Sequence, residues 1–137
     1  MRSDGALFAG IDSSCAYLLG CAAQIQDGDR QMEDYLLCPA PPTPTQMIFR
    51  VEQAKKTSFS VKLNVTAGSG ATNEVTTNSL KMVWTPFASS QGGAGDYILT
   101  VSKVGTKPDQ AINYTVEAHC ATDSGEHTGE SNPQRIP

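Results

Sequence analysis

Strict alternation of apolar and polar residues recurs along positions 46–120, and it constrains the fold more than any other feature of the chain. Successive side chains of a strand point to opposite faces, so a period of two marks a strand buried on one side only. In Met47-Ile-Phe-Arg-Val51, residues Met47, Phe49 and Val51 share a face. In Phe59-Ser-Val-Lys-Leu-Asn-Val65, the inward set is Phe59, Val61, Leu63 and Val65. Leu80, Met82 and Trp84 alternate with Lys81, and Tyr97, Leu99 and Val101 alternate with Thr100 and Ser102. Ile112, Tyr114, Val116 and Ala118 alternate with Asn113, Thr115, Glu117 and His119. These runs are rich in β-branched and aromatic residues, as strands prefer.

Glycine-rich turn chemistry separates them, most clearly at Ala67-Gly-Ser-Gly70, Gln91-Gly-Gly-Ala-Gly-Asp96 and Gly105-Thr-Lys-Pro-Asp109. Strands apolar on one face need a second sheet to cover them. The pattern therefore predicts an all-β, antiparallel β-sandwich, jelly-roll-like or immunoglobulin/fibronectin-like, with a barrel as the alternative closure. One or two strands from residues 1–38 complete the count.

The rest of the chain divides by composition. Residues 1–38 form a cysteine-containing N-terminal segment holding Cys15, Cys21 and Cys38. Within it, Asp27, Asp29, Glu33 and Asp34 make an acidic, turn-like stretch, and Tyr35-Leu-Leu-Cys38 is a short apolar run. Residues 39–45 carry Pro39, Pro41, Pro42 and Pro44 and read as an extended connector. Residues 46–120 are the sandwich domain. Residues 121–137 are polar and poor in apolar side chains, which suits a mobile end or an extended arm that orders on a partner.

Charge narrows the partners. The net charge is −4, and Lys55-Lys56 is the densest basic run, so no nucleic-acid footprint is expected. The most apolar stretch, Ala6 to Ala23, is interrupted by Asp12, Ser13 and Ser14. No membrane span is expected of it, nor does it have the form of a signal peptide.

Four cysteines in a small chain rich in Thr and Gly favour disulfides and an oxidising compartment, extracellular or cell-surface. None of their spacings is that of a zinc ribbon. Cys120 has the inward parity of its strand, and Cys38 lies just before the first strand of residues 46–120. First and last strands of a sandwich are often neighbours. The expected pairing is Cys38–Cys120 with Cys15–Cys21, and the competing one is Cys21–Cys38 with Cys15–Cys120.

Gly95-Asp-Tyr-Ile-Leu-Thr-Val101 followed by Ile112-Asn-Tyr-Thr-Val116 resembles the end of a bacterial pre-peptidase C-terminal domain, whose signature is G-x-Y-x-L-x-V … Y-x-L-x-V. Upstream, Phe49-Arg-Val51 and Ser58-Phe-Ser-Val-Lys-Leu63 resemble that family's paired early strands. The resemblance covers about residues 46–119. It implies a jelly-roll-like sandwich appended to secreted proteins, serving substrate or matrix binding rather than catalysis. The family's acidic Asp-Leu-Tyr, linked to calcium in some members, is replaced here by Leu80-Lys-Met-Val-Trp84, so no metal site carries over. Val83-Trp-Thr-Pro86, Tyr114-Thr-Val-Glu-Ala118 and Gly129-Glu-Ser-Asn-Pro133 also resemble fibronectin type III landmarks. For that family, the gap from Tyr97 to Tyr114 is too short.

Several residues are candidates for chemistry. Asn64-Val-Thr66 and Asn113-Tyr-Thr115 are N-glycosylation sequons, and alternation places both asparagines on solvent faces. The acidic stretch lacks the spacing of an EF-hand loop, so a solvated turn is expected rather than a calcium site. His119 and Cys120 point to opposite faces of one strand, which makes a catalytic Cys–His pair from them geometrically poor. His127 reads as a solvated tail residue. Trp84 and Tyr97 have inward parity and read as core, while Phe87, after Pro86, is the better exposed contact residue.

No nucleophile elbow or convergent titratable set appears, and no cofactor is implied. The expected function is a non-enzymatic extracellular binding or adhesion module whose partner is a protein or carbohydrate surface ligand. The alternative is a structural subunit of an extracellular assembly, joined to copies of itself through its terminal arms.

Overall fold

The computed structural model describes residues 6–9, 23–25, 31–53, 60–78, 81–104 and 112–136. Every regular element among them is a strand: β1 (Ala6–Ala9), β2 (Ala23–Ile25), β3 (Gln31–Cys38), β4 (Gln46–Gln53), β5 (Ser60–Ala67), β6 (Thr72–Thr76), β7 (Ala88–Ser90), β8 (Gly95–Val104), β9 (Ile112–Ala121) and β10 (Gln134–Ile136). The pairings are antiparallel and make two sheets. The first runs β1-β9-β4-β7, with β2 also on β9, and the second runs β10-β3-β8-β5-β6. They form the β-sandwich that the alternation predicts.

The register explains the core. In the first sheet Met47, Phe49 and Val51 stand opposite Cys120, Ala118 and Val116. In the second, Val61, Leu63, Val65 and Ala67 stand opposite Lys103, Val101, Leu99 and Tyr97. Apart from Lys103, which is buried beside this cluster, these side chains belong to one continuous hydrophobic core. Burial of such side chains, at roughly 25 cal/mol per Å² of apolar surface, is the main force holding the sheets face to face.

Two threonines close the gap between the sheets at one end. Thr77 donates its N–H to the Val61 carbonyl, and its hydroxyl accepts the Val61 N–H. Thr85 does the same with Val51, at 2.9 and 3.2 Å. The chain thus leaves the edge of β5 at Thr77 and joins the edge of β4 at Thr85. Thr77 also donates to Gln53 Oε1 across the sheets. At the other end, Gly92 is required by close approach, because a Cβ there would lie 2.1 Å from the Ala67 Cβ.

Three elements differ from the sequence reading. The described part of 80–84 is not a strand. Lys81 closes a turn on Asn78, and Met82 and Val83 face solvent. Three alternating residues carry too little pattern to outweigh that turn. Residues 31–38, read as an acidic turn followed by a short apolar run, form one strand between β10 and β8. Its inward positions include buried Asp34 as well as Leu36 and Cys38.

The tail 121–136 packs on its own chain. It turns back through an Ala121–His127 bridge and then crosses to the other sheet. There Ser131 exchanges hydrogen bonds with the Leu37 backbone, and β10 pairs with Glu33, Asp34 and Tyr35. Polar side chains fix it, so apolar content gave no signal.

Candidate functional site

The outer face of the first sheet carries an aromatic and charged cluster built on a cross-strand pair. Arg50 of β4 stands opposite Glu117 of β9. Its Nε donates to Glu117 Oε1 at 2.6 Å, with the side chains 30% and 17% exposed. Opposite charges at directly facing strand positions attract, but a part-exposed pair of this kind contributes little stability by itself.

The segment leading into β7 brings two rings, on either side of Thr85, onto that guanidinium. Its carbon lies 4.4 Å from the centroid of Trp84 and 4.5 Å from that of Phe87. A guanidinium against an aromatic face gains electrostatic attraction to the ring's electron density. Two rings and a carboxylate therefore hold Arg50 in one place. Glu52, two residues along the same face, feels the same surroundings: partial burial pushes its carboxyl up, and the Arg50 charge pulls it back down.

The cluster continues along β9. Phe87 lies 5.9 Å from the buried His119, which in turn lies 4.0 Å from His127 of the returning tail. Beside it, Glu130 accepts the Cys120 N–H through Oε1 at 2.9 Å, and Thr128 donates to the Cys120 carbonyl. Met82, Val83 and Phe87 are the large apolar side chains most open to solvent here, at 55%, 56% and 47%. The result is a shelf of polar and aromatic side chains on the outer face of the first sheet, with exposed Met82 and Val83 just ahead of Trp84 in the chain.

The predicted site residues fall as follows. Cys38 and Cys120 form a disulfide, which ties β3 of one sheet to β9 of the other across 82 positions. Cys15, Cys21, Asp27 and Asp29 lie outside the described residues. Asn64 sits half-buried on the outer face of β5, and Thr66 donates its hydroxyl to Asn64 Oδ1 at 3.0 Å. Asn113 belongs to β9, but its side chain lies outside the described set. Glu33 and Asp34 alternate on β3, and only Asp34 is buried, so strand parity separates them.

Trp84 is not the core plug its parity suggested; it lies half-buried on the outer surface against Arg50. Tyr97 is in the core as expected, and burial pushes its phenol up. His119 is buried although its parity is outward, because Phe87 and His127 cover it. Sequence reasoning missed Arg50 and Glu117; their only trace was a charge at an outward position of each strand.

Among the described residues, no group of three or more His, Cys, Asp or Glu side chains is placed to hold a metal ion. No helix among them is long and apolar enough to cross a membrane. Fold and site together define a disulfide-bonded, antiparallel β-sandwich with an aromatic shelf on one sheet. No protein-family model, curated protein or solved structure matches the chain.

Proposed function

We propose that this chain is a non-catalytic binding module of the extracellular space, and that it engages its ligand through the outer face of the first sheet. The observation that carries the reading is Arg50, held by Trp84, Glu117 and the exposed Phe87, with Met82 and Val83 exposed in the segment that leads into Trp84. Exposed aromatic and apolar side chains around an anchored arginine are the composition of interaction hot spots. The titratable groups of the shelf have structural engagements: Glu117 holds Arg50, and His119 packs between Phe87 and His127. That favours binding over turnover.

The Cys38–Cys120 disulfide supports an oxidising compartment. For the remaining two cysteines the proposed pairing is Cys15–Cys21. The resemblance to pre-peptidase C-terminal domains supports an appended module, and the sequon at Asn64 supports a glycoprotein in a host that reads sequons. Against the assembly-subunit reading stands the tail, which is engaged with its own β3.

The test fuses the oxidised chain to a fluorescent protein and measures its retention on insoluble extracellular materials, both polysaccharide and collagenous. Retention is expected for the native sequence, with loss on Phe87→Ala and no change on Thr100→Ala in the opposite sheet. Failure to be retained on any material, or equal retention of the Phe87 variant, overturns the reading.

A further inference from the structure

We infer that the shelf recognises a neutral saccharide, through hydroxyl contacts to Arg50 and Glu117 and ring stacking on Phe87. This rests on the shelf being the binding surface.

The ion pair uses one donor and one acceptor. Nε of Arg50 donates to Oε1 of Glu117. Among the described residues neither the Nη groups of Arg50 nor Oε2 of Glu117 makes a hydrogen bond. Fixed donors and a fixed acceptor therefore stand side by side at a surface where both side chains are partly exposed, 30% and 17%. A hydroxyl group both donates and accepts, so vicinal hydroxyls match this array. Hydrogen bonds to charged groups are the stronger kind.

Charge decides against an ionic ligand. The Arg50 guanidinium and the Glu117 carboxylate are paired, so together they present no net charge to draw an anion. A cation gains nothing from that pair either, and one face of Trp84 and one of Phe87 already hold the Arg50 guanidinium. A neutral ligand needs no such attraction.

The size of the aromatic surface favours a small ring. Phe87, 47% exposed, offers one phenyl ring beside the Arg50–Glu117 pair, whereas a standard protein interface covers roughly 800 Å² per partner. A sugar ring with its apolar C–H face fits a single half-exposed phenyl ring flanked by a fixed donor and a fixed acceptor.

The experiment is affinity electrophoresis of the full oxidised chain through native gels containing a soluble β-glucan, a galactomannan or polygalacturonate. Retardation by at least one neutral polysaccharide and none by polygalacturonate is expected. Phe87→Ala and Glu117→Gln should each weaken retardation at least tenfold, while Phe87→Tyr, which keeps the ring, should retain it. The Tyr variant keeps the test informative if the Ala variant misfolds. The inference is overturned by three results: no retardation by either neutral polymer, preference for the acidic one, or retardation unchanged in Glu117→Gln. Retention on a collagenous material that depends on Phe87, without retardation by either neutral polysaccharide, sinks the saccharide and leaves the binding reading standing.

Discussion

At the scale of single residues, one cross-strand hydrogen bond ties a tyrosine's proton to the folded state. The Tyr35 hydroxyl donates to Asp96 Oδ1 at 2.5 Å, linking β3 to the start of β8. That bond, with desolvation and the nearby Asp96 charge added, raises the Tyr35 phenol above its ordinary value. The folded chain therefore holds this proton more tightly than the unfolded chain does. The resulting stabilisation is fully present below the ordinary tyrosine value, about 10, and is lost as pH rises through the higher folded value. Removing the acceptor by Asp96→Ala should move one tyrosine's titration to lower pH, read from phenolate absorbance. An unchanged curve would show that the bond does not form in solution.

The same scale shows why parts of the site escaped the sequence. Period two assigned Tyr97 correctly because a long strand of alternating residues surrounds it. It misplaced Trp84, whose position is set by a cation three-dimensionally adjacent but 34 positions away in sequence. No local pattern encodes that.

At the scale of elements, the strands legible in the sequence are those with at least five alternating positions: β4, β5, β8 and β9. Each carries a run of inward apolar side chains, and burying them decides the register. β3 was only half legible, because inward Asp34 interrupts its apolar face. β6 was hidden because it is an edge strand whose side chains are largely exposed. β10 was hidden because backbone pairing and Ser131, rather than apolar burial, hold the tail to β3.

The tail has a protective consequence. β10 covers the edge of β3, and an uncovered edge strand presents unpaired N–H and C=O groups to other chains. A chain ending at Asn132 should keep the core strands yet expose that edge. Light scattering should then show concentration-dependent association absent from the full chain. A truncated chain that stays monomeric would mean that Ser131 and the short turns near it protect β3 without β10.

At the scale of the whole molecule, the topology makes the disulfide matter. Of the strands from β3 onward, only β5 and β6 are sheet neighbours joined directly in sequence; every other connection crosses between the sheets. Contacts of such long separation are costly in loop-closure entropy and slow to form. Cys38–Cys120 crosses the sandwich and joins positions 82 apart. In the chain-entropy model, closing a loop of that length stabilises by roughly 4–5 kcal/mol, through restriction of the unfolded chain. The Cys38→Ala, Cys120→Ala double variant should lose stability on that scale, seen as a lower guanidinium midpoint. It should also lose whatever packing the two half-cystines supply to the core.

Both half-cystines are fully buried in the native sandwich, so dithiothreitol has no direct route to this bond. Reduction, followed by alkylation and mass, should therefore proceed at the rate of global unfolding. Reduction much faster than unfolding would mean that the Cys120 end of β9, under Glu130 and the tail, opens on its own.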